Sequence, residues 1–397
     1  MAYTIREGLL IKDFGPIKNV NIEDLHHINV FVGESGSGKS TIMKVLAMMR
    51  WLYKMICVRS YLKISGITNS PFKLRLDAIL GKNGLRPFLH KDSVIKYSFN
   101  GFEIQIKDGK ILIPSKPVEE KDLTIQKIAY ISDKRVIIPD LASGNITLRH
   151  NMFYLDETLL NFQKATEKIS DSDMEYLGVR MNVRKSNGAK KIFVSSDTSD
   201  DKFENLPLTN ASSGIQSSVA LHFIIQYFAY NYDMVEALNS TIVKYLAETD
   251  NLSKFKATTD IGLFPIKRVN LHLEEPELSL FPANQWGLMK FLVECCRSSK
   301  AAEMNLTLAT HSPYILTSLN IMTLAYRAAR KNEEKSKTVA GRIPKLPPCT
   351  IGAWEVRRGE CSDIIDQELQ MIDGTYLDYA SDVFEELISN LNDIIYG

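Results

Sequence analysis

The octapeptide Gly33-Glu34-Ser35-Gly36-Ser37-Gly38-Lys39-Ser40 constrains this chain more than any other stretch. Before it runs Ile28-Asn29-Val30-Phe31-Val32, which reads as a buried strand, and after it residues 41–51 read as a helix. A glycine-rich turn between strand and helix is a phosphate cradle. The glycines let backbone N–H groups curl around an anion, and the helix N-terminus adds its partial positive charge. Lys39 is placed to reach terminal phosphates, Ser40 to ligate Mg²⁺ through its hydroxyl, and Thr41 to follow it into the helix.

Composition narrows the rest. The 397 residues are 45% hydrophobic, enough for a large core, and the length suits two or three domains or one two-lobed unit. With 48 basic and 47 acidic residues the formal net charge is +1, so no global field marks a nucleic-acid binder. The cysteines (Cys57, Cys295, Cys296, Cys349, Cys361) are odd in number and lack metal-ligand spacing, which predicts reduced thiols in a cytoplasmic protein. Arg6, Glu7 and Lys12 interrupt any signal-peptide pattern, and the longest apolar run, residues 219–230, contains His222 and Gln226 and is too short to span a bilayer. The expectation is a soluble chain with no membrane partner.

Residues 8–22 read as strand, turn, strand. Alternating segments at 93–100, 102–107 and 110–114, separated by Asn100-Gly101 and Asp108-Gly109, predict antiparallel hairpins beside the nucleotide-binding sheet. Residues 136–178 read as largely helical, with Leu155, Leu159 and Phe162 at helical spacing. A further hairpin is expected around Ser186-Asn187-Gly188. Its flanking cations (Arg180, Arg184, Lys185, Lys190, Lys191) suit either nucleic acid, an acidic partner, or simply a solvated arm. Residues 215–258 read as helical, 268–325 as alternating strand and helix, 327–348 as a mobile connection, and 377–396 as an amphipathic helix.

A P-loop needs an acidic partner to hold Mg²⁺ and orient water. Val269-Asn270-Leu271-His272-Leu273-Glu274-Glu275-Pro276-Glu277 supplies one: a strand with two carboxylates at its C-terminal end, where ligands sit in open α/β sheets. Glu274 takes the metal-holding position and Glu275 the water-activating one. Asn270 and His272 are out of place in a strand covered on both faces, unless one face of the sheet is locally polar. Leu306–Ala309 reads as another strand, ending at Thr310-His311-Ser312, where a neutral imidazole can donate to a γ-phosphate oxygen. Finally, Ser212-Ser213-Gly214-Ile215-Gln216 opens a strongly apolar helix. It is either a plain Ser N-cap or a second anion cradle. One triphosphate needs one cradle, so a second makes sense if it closes over the nucleotide of another copy, in an ATP-sandwiched dimer.

These elements, in this order, resemble the ABC-type ATPases of the RecF/SMC/OLD group. Gly33–Ser40 looks like Walker A, Ser212–Gln216 like the signature motif (with Ser-Ser-Gly for Ser-Gly-Gly), Glu274–Glu277 like the extended Walker B, and His311 like the switch histidine. Leu10–Ile17 and Tyr130-Ile131-Ser132-Asp133-Lys134-Arg135 are similar to further elements of the group. The resemblance implies an α/β, two-lobed ABC-type head with a mixed nucleotide-binding sheet, an antiparallel β subdomain and a helical insertion. It divides the chain into 1–135, 136–204 and 205–397. It also implies ATP and Mg²⁺ as cofactors, slow ATP hydrolysis, and self-association into a dimer or higher oligomer. The region after His311 is short and poor in clustered carboxylates for a Toprim nuclease domain. The nearer likeness is therefore to the stand-alone ATPase subunits of antiphage systems such as PARIS (AriA) and Septu (PtuA), PARIS foremost. That likeness implies an oligomeric sensor or scaffold controlling a separate nuclease effector, with a phage-encoded trigger. The alternative is a RecF/SMC-like DNA-repair ATPase that binds DNA directly.

Overall fold

The computed structural model describes residues 5–67, 70, 72–148, 152–186, 189–196, 203–248, 255, 264–299 and 302–374. Its centre is one eleven-stranded sheet. In chain order the strands of that sheet are β1 (Glu7–Phe14), β2 (Ile17–Ile22), β3 (Ile28–Val32), β4 (Leu89–Phe99), β5 (Phe102–Lys107), β6 (Lys110–Leu112) and β7 (Thr124–Ile131). After a separate small sheet come β12 (Ile266–Glu274), β13 (Glu303–Ala309), β14 (Ile351–Arg357) and β15 (Glu360–Asp363). The order across the sheet is β6-β5-β4-β1-β2-β15-β14-β3-β13-β12-β7.

The two halves of this sheet obey different rules. β14, β3, β13, β12 and β7 are parallel neighbours. β3 is buried along its whole length, which is why Ile28–Val32 is nearly unbroken apolar sequence. On the other side β6, β5, β4, β1 and β2 pair antiparallel through short turns. The hairpins expected beside the nucleotide-binding strands are present, joined to them through β1, β2 and then β15, which pairs with β14.

Helix α1 (Lys39–Ile64) leaves the P-loop and runs against the parallel strands, buried on nearly every side because it carries apolar residues all round. Helices α2 (Leu76–Lys82), α3 (Ile138–Ser143) and α4 (Phe153–Lys168) follow. The small antiparallel sheet is built from β8 (Asp171–Met174), β9 (Val179–Ser186), β10 (Ala189–Ser196) and β11 (Leu206–Pro207). Then come α5 (Ser213–Tyr230), α6 (Met234–Glu248), α7 (Pro282–Ser298), α8 (Pro313–Lys331) and α9 (Glu333–Ala340).

Two expectations are corrected. Residues 171–174 are strand, not helix. Ser172 and Met174 are buried while Asp171 and Asp173 are exposed, and this two-residue period pairs with Val179–Asn182. Residues 327–340 are also ordered. Helix α8 continues to Lys331, and Asn332 caps α9 by accepting from the Lys335 N–H at 2.9 Å. The charge there is the solvated side of two helices. The helix expected at 377–396 lies outside the described residues. Among the described residues no helix is long and apolar enough to cross a membrane.

Candidate active site

Parallel pairing brings three strand ends level. Leu273 and Glu274 stand beside Leu308 and Ala309, and Ala309 stands beside Phe31. Backbone bonds carry the alignment past the strands: Glu275 N–H to Ala309 O at 2.8 Å and Thr310 N–H to Phe31 O at 3.1 Å. The loops after β3, β12 and β13 therefore open into one cavity of about 480 Å³. It is lined by Ser35, Gly36, Gly38, Lys39, Ser40 and Thr41, together with Glu274, Glu275 and His311. Residues distant in sequence and expected to act together are thus brought together.

The P-loop takes its shape from glycine. Gly33 and Gly38 have φ of +139° and +113°. A Cβ on Gly33 would lie 2.2 Å from the backbone Val356 O, so both torsion and space exclude a side chain there; at Gly38 the Cβ would lie 2.4 Å from the flexible tip of Ile17, and the torsion is the stronger bar. Lys39 folds over this turn, its Nζ donating to Gly33 O at 2.7 Å and Glu34 O at 2.8 Å. Burial lowers its pKa, opposed by Glu275, Glu277 and Glu34. An ammonium has three donors, so one N–H remains to face the cavity. Ser37 does not line the cavity, and among the described residues its buried Oγ has no partner.

The carboxylates are held individually. Glu274 is buried and its Oε1 accepts from the Tyr130 hydroxyl at 2.6 Å. Glu275 adopts φ +43°, a costly left-handed conformation for a non-glycine residue at this position. The buried Arg135 guanidinium holds that turn, donating to the carbonyls of Glu274 at 2.7 Å, Glu275 at 2.5 Å and Pro276 at 3.3 Å. Glu277 Oε1 accepts from the Thr310 hydroxyl at 2.6 Å and from the His311 N–H at 3.0 Å, locking the two loops to each other. His311 Nε2 lies 3.9 Å from Glu275 Oε1. Burial and then Lys39 lower the His311 pKa against the pull of Glu275 and Glu277, so the neutral imidazole is favoured.

Ser40 and Glu274 present oxygen donors to the same space, the chemistry a hard cation such as Mg²⁺ requires. Among the described residues no group of three or more His, Cys, Asp or Glu side chains converges on a metal position. Mg²⁺ fits such a sparse set, because it keeps waters and substrate phosphates as its other ligands.

Ser212, Ser213, Gly214 and Gln216 do not line this cavity. Ser212 accepts from the Ile215 N–H at 3.4 Å, as an N-cap does. Gln216 is turned back on its own approach loop, donating to Thr209 O and Ala211 O. Gly214 packs on the loop that follows Glu275: a Cβ there would meet Ser279 O at 2.6 Å. Ser212 and Ser213 are exposed.

Tyr130 and Arg135 were visible in sequence only as part of a resembling segment. Their roles come from register, since Tyr130 sits beside His272 in the parallel pair. The polar face foreshadowed by Asn270 and His272 is real. His272 Nε2 lies 3.2 Å from Arg50 Nη1, and Asn270 Nδ2 donates to Gln126 Oε1 at 3.1 Å. On the β9–β10 hairpin, Arg180 pairs with Asp173 at 2.7 Å and Lys190 with Glu167 at 3.8 Å, while Arg184 donates to Asn205 at 2.6 Å.

A family model described as an AAA domain matches residues 9–256, taking in the P-loop and Ser212–Gln216 and ending before β12. No curated protein matches the sequence. Among solved structures the chain is similar to an SmcHead bound to the C-winged helix domain of ScpA, at 14% identity and TM-score 0.36, over 92% of this chain and 99% of that one. It is similar to the SMC head domain from Thermotoga maritima at 13% identity and TM-score 0.36, over 91% and 98%. A third is the Smc head domain with an extended coiled coil bound to the C-terminal domain of ScpA from Pyrococcus furiosus, at 11% identity and TM-score 0.33, over 97% and 100%.

Proposed function

Since this chain belongs to the AAA domain family, we propose that it is an ABC-type ATPase of the RecF/SMC/OLD kind that binds and slowly hydrolyses ATP between two copies of itself. Its role is that of an oligomeric sensor in antiphage defence, controlling a separate Toprim-like nuclease. The backbone of Gly33–Gly38 and the Lys39 ammonium grip the phosphates, and Ser40 and Glu274 hold Mg²⁺, which when bound neutralises charge developing on the transferred phosphoryl group. Glu275 orients the attacking water. His311, positioned by Glu277, donates to the terminal phosphate and so registers its presence.

One observation supports the ATPase part of this reading; the defence role rests on the resemblance alone. A single cavity gathers Lys39, Ser40, Glu274, Glu275 and His311, while the Ser212–Ser213 helix tip stands exposed outside it. An exposed helix N-terminus with exposed hydroxyls is suited to a phosphate presented by a partner copy. Direct DNA binding draws less support, because Arg180, Arg184 and Lys190 are engaged by neighbours in this chain.

The Glu275→Gln variant tests the mechanism. With ATP it should accumulate as a dimer or its multiple in light scattering, with turnover reduced by about a hundredfold or more, as for the loss of a water-orienting group. Unchanged turnover, or a monomer at saturating ATP, refutes the assignment. The effector is tested by tagging the chain in its native operon: a nuclease should co-purify, and its absence leaves the ATPase without the proposed client.

A further inference from the structure

Tyr130 serves two cavities. Its hydroxyl reaches Glu274 in the first, while the residue also lines a second cavity of about 890 Å³ between α1, α2, β7, α4 and α6. The size falls in the range of small-ligand pockets, about 300–1,000 Å³.

The charge on its walls is unbalanced. Among the described residues Lys54, Lys73, Arg75, Lys82 and Lys127 line it against two carboxylates, Asp156 and Glu157. Both carboxylates are already engaged: Glu157 pairs with Lys127 at 2.8 Å, and Asp156 accepts the Met152 N–H at 3.0 Å at the start of α4. Among the described residues Lys54, Lys73, Arg75 and Lys82 have no ion pair. Lys54 is largely buried, and burial together with neighbouring Lys127 pulls its pKa down to about 8, a cost that a bound anion would relieve.

The aromatic residues Trp51, Tyr130, Tyr154 and Tyr245 line the same walls; Tyr130 is buried with Tyr154 and His272 against its ring, while Trp51, Tyr154 and Tyr245 are partly exposed. Tyr130 and Tyr154 lie with ring centroids 4.3 Å apart, and the Tyr154 hydroxyl is tied to Asn83 on the opposite wall. Cations select phosphate, and aromatic faces stack on bases. A bare phosphate would use only the first of these.

We propose that this cavity binds a small nucleotide, of one or two nucleotide units, and that Tyr130 transmits its presence to Glu274. The transmission rests on the ATPase reading above; the binding does not. A ligand stacked in the cavity bears on the Tyr130–Tyr154 pair, and Tyr130 has one hydroxyl with which to hold or release the Glu274 carboxylate.

Binding is measured by titration calorimetry on the Lys39→Ala chain, which removes the phosphate-gripping lysine of the first site. The probes are AMP, GMP, CMP, UMP, the dinucleotide pApA, and inorganic phosphate. At least one nucleotide should bind at one per chain, with phosphate about tenfold weaker or worse. Adding Arg75→Glu and Lys82→Glu, both exposed and remote from the core, should weaken that nucleotide by about tenfold or more. No nucleotide binding, or affinity unmoved by charge reversal, overturns the proposal. For the coupling, the bound nucleotide should change ATP turnover of the native chain, and Tyr130→Phe should abolish that response while keeping nucleotide affinity. A response that survives Tyr130→Phe overturns the coupling. A native chain with no ATP turnover, alongside intact nucleotide binding to Lys39→Ala, sinks the ATPase reading and the coupling while upholding the site.

Discussion

Replacing Glu7 by glutamine removes the charge on which two buried arginines close. Arg50 reaches Glu7 Oε1 at 2.7 Å and Oε2 at 3.1 Å, Arg268 reaches Oε2 at 2.9 Å, and the Tyr97 hydroxyl donates to Oε1 at 2.8 Å. None of these ionic side chains is more than 4% exposed. Breaking a buried pair from one side leaves uncompensated charge and costs about 3–5 kcal/mol. The shift of the Glu7 pKa points the same way. Burial alone would push the Glu7 carboxyl up, but Arg50 and Arg268 outweigh it and bring it down from 4.5 to about 2. At 1.36 kcal/mol per pH unit that is roughly 3 kcal/mol. The folded value lies below the unfolded one, so this stability is complete above pH 4.5 and disappears as the pH falls towards 2. Urea unfolding followed by circular dichroism at pH 7 should therefore show Glu7→Gln less stable by about 3–5 kcal/mol. The gap from wild type should close as the pH is lowered from 4.5. A loss under about 1 kcal/mol at pH 7, or a gap independent of pH, refutes the reasoning. Function should follow stability, because Arg50 also meets His272, two residues before Glu274 on β12.

Gly38→Ala sets a methyl against Ile17 at a φ of +113°, and should cost about 1–3 kcal/mol in thermal unfolding and weaken ATP binding; Ile17→Ala relieves the clash but not the torsion, so the double variant should recover only in part. Lys39→Ala should lower ATP affinity by about a hundredfold or more in calorimetry, since it deletes the charge-assisted contact to the phosphates; normal affinity would remove the P-loop from the binding site. Ser213→Arg lies on an exposed helix tip, so its stability should match wild type within about 0.5 kcal/mol while ATP-dependent self-association in light scattering is lost. Equal association in variant and wild type would show that this tip does not close on a partner's nucleotide.

What the sequence disclosed was local. β3 and the hairpins around Asn100-Gly101 and Asp108-Gly109 stand where expected, because an apolar run and a pair of left-handed turn residues are written in adjacent positions. β14 was not anticipated, although it pairs directly with the P-loop strand. Nothing near Ile351–Arg357 announces a partner more than three hundred residues away, and the charged, proline-containing stretch before it hid the return to the sheet. The site divided in the same way. Walker-type residues are recognisable from their neighbours, whereas Tyr130 and Arg135 act through groups that only strand register brings near. Asn270 and His272 mark the boundary between the two kinds of information. Polar side chains in a central parallel strand require buried partners. The anomaly is therefore legible as a demand, although its fulfilment by Arg50 on α1 and Gln126 on β7 is not. The placement of that demand bears on mechanism. Arg50 stands on the helix that begins at Lys39, and His272 on the strand that ends at Glu274. Glu7 gathers Arg50 and Arg268 from the antiparallel half of the sheet. A displacement of the P-loop helix relative to β12 would have to break hydrogen bonds in a buried, low-dielectric network, where each lost partner is costly. The network therefore holds the lysine and the carboxylates of the candidate site at a fixed separation, and leaves motion to the loops at the strand ends.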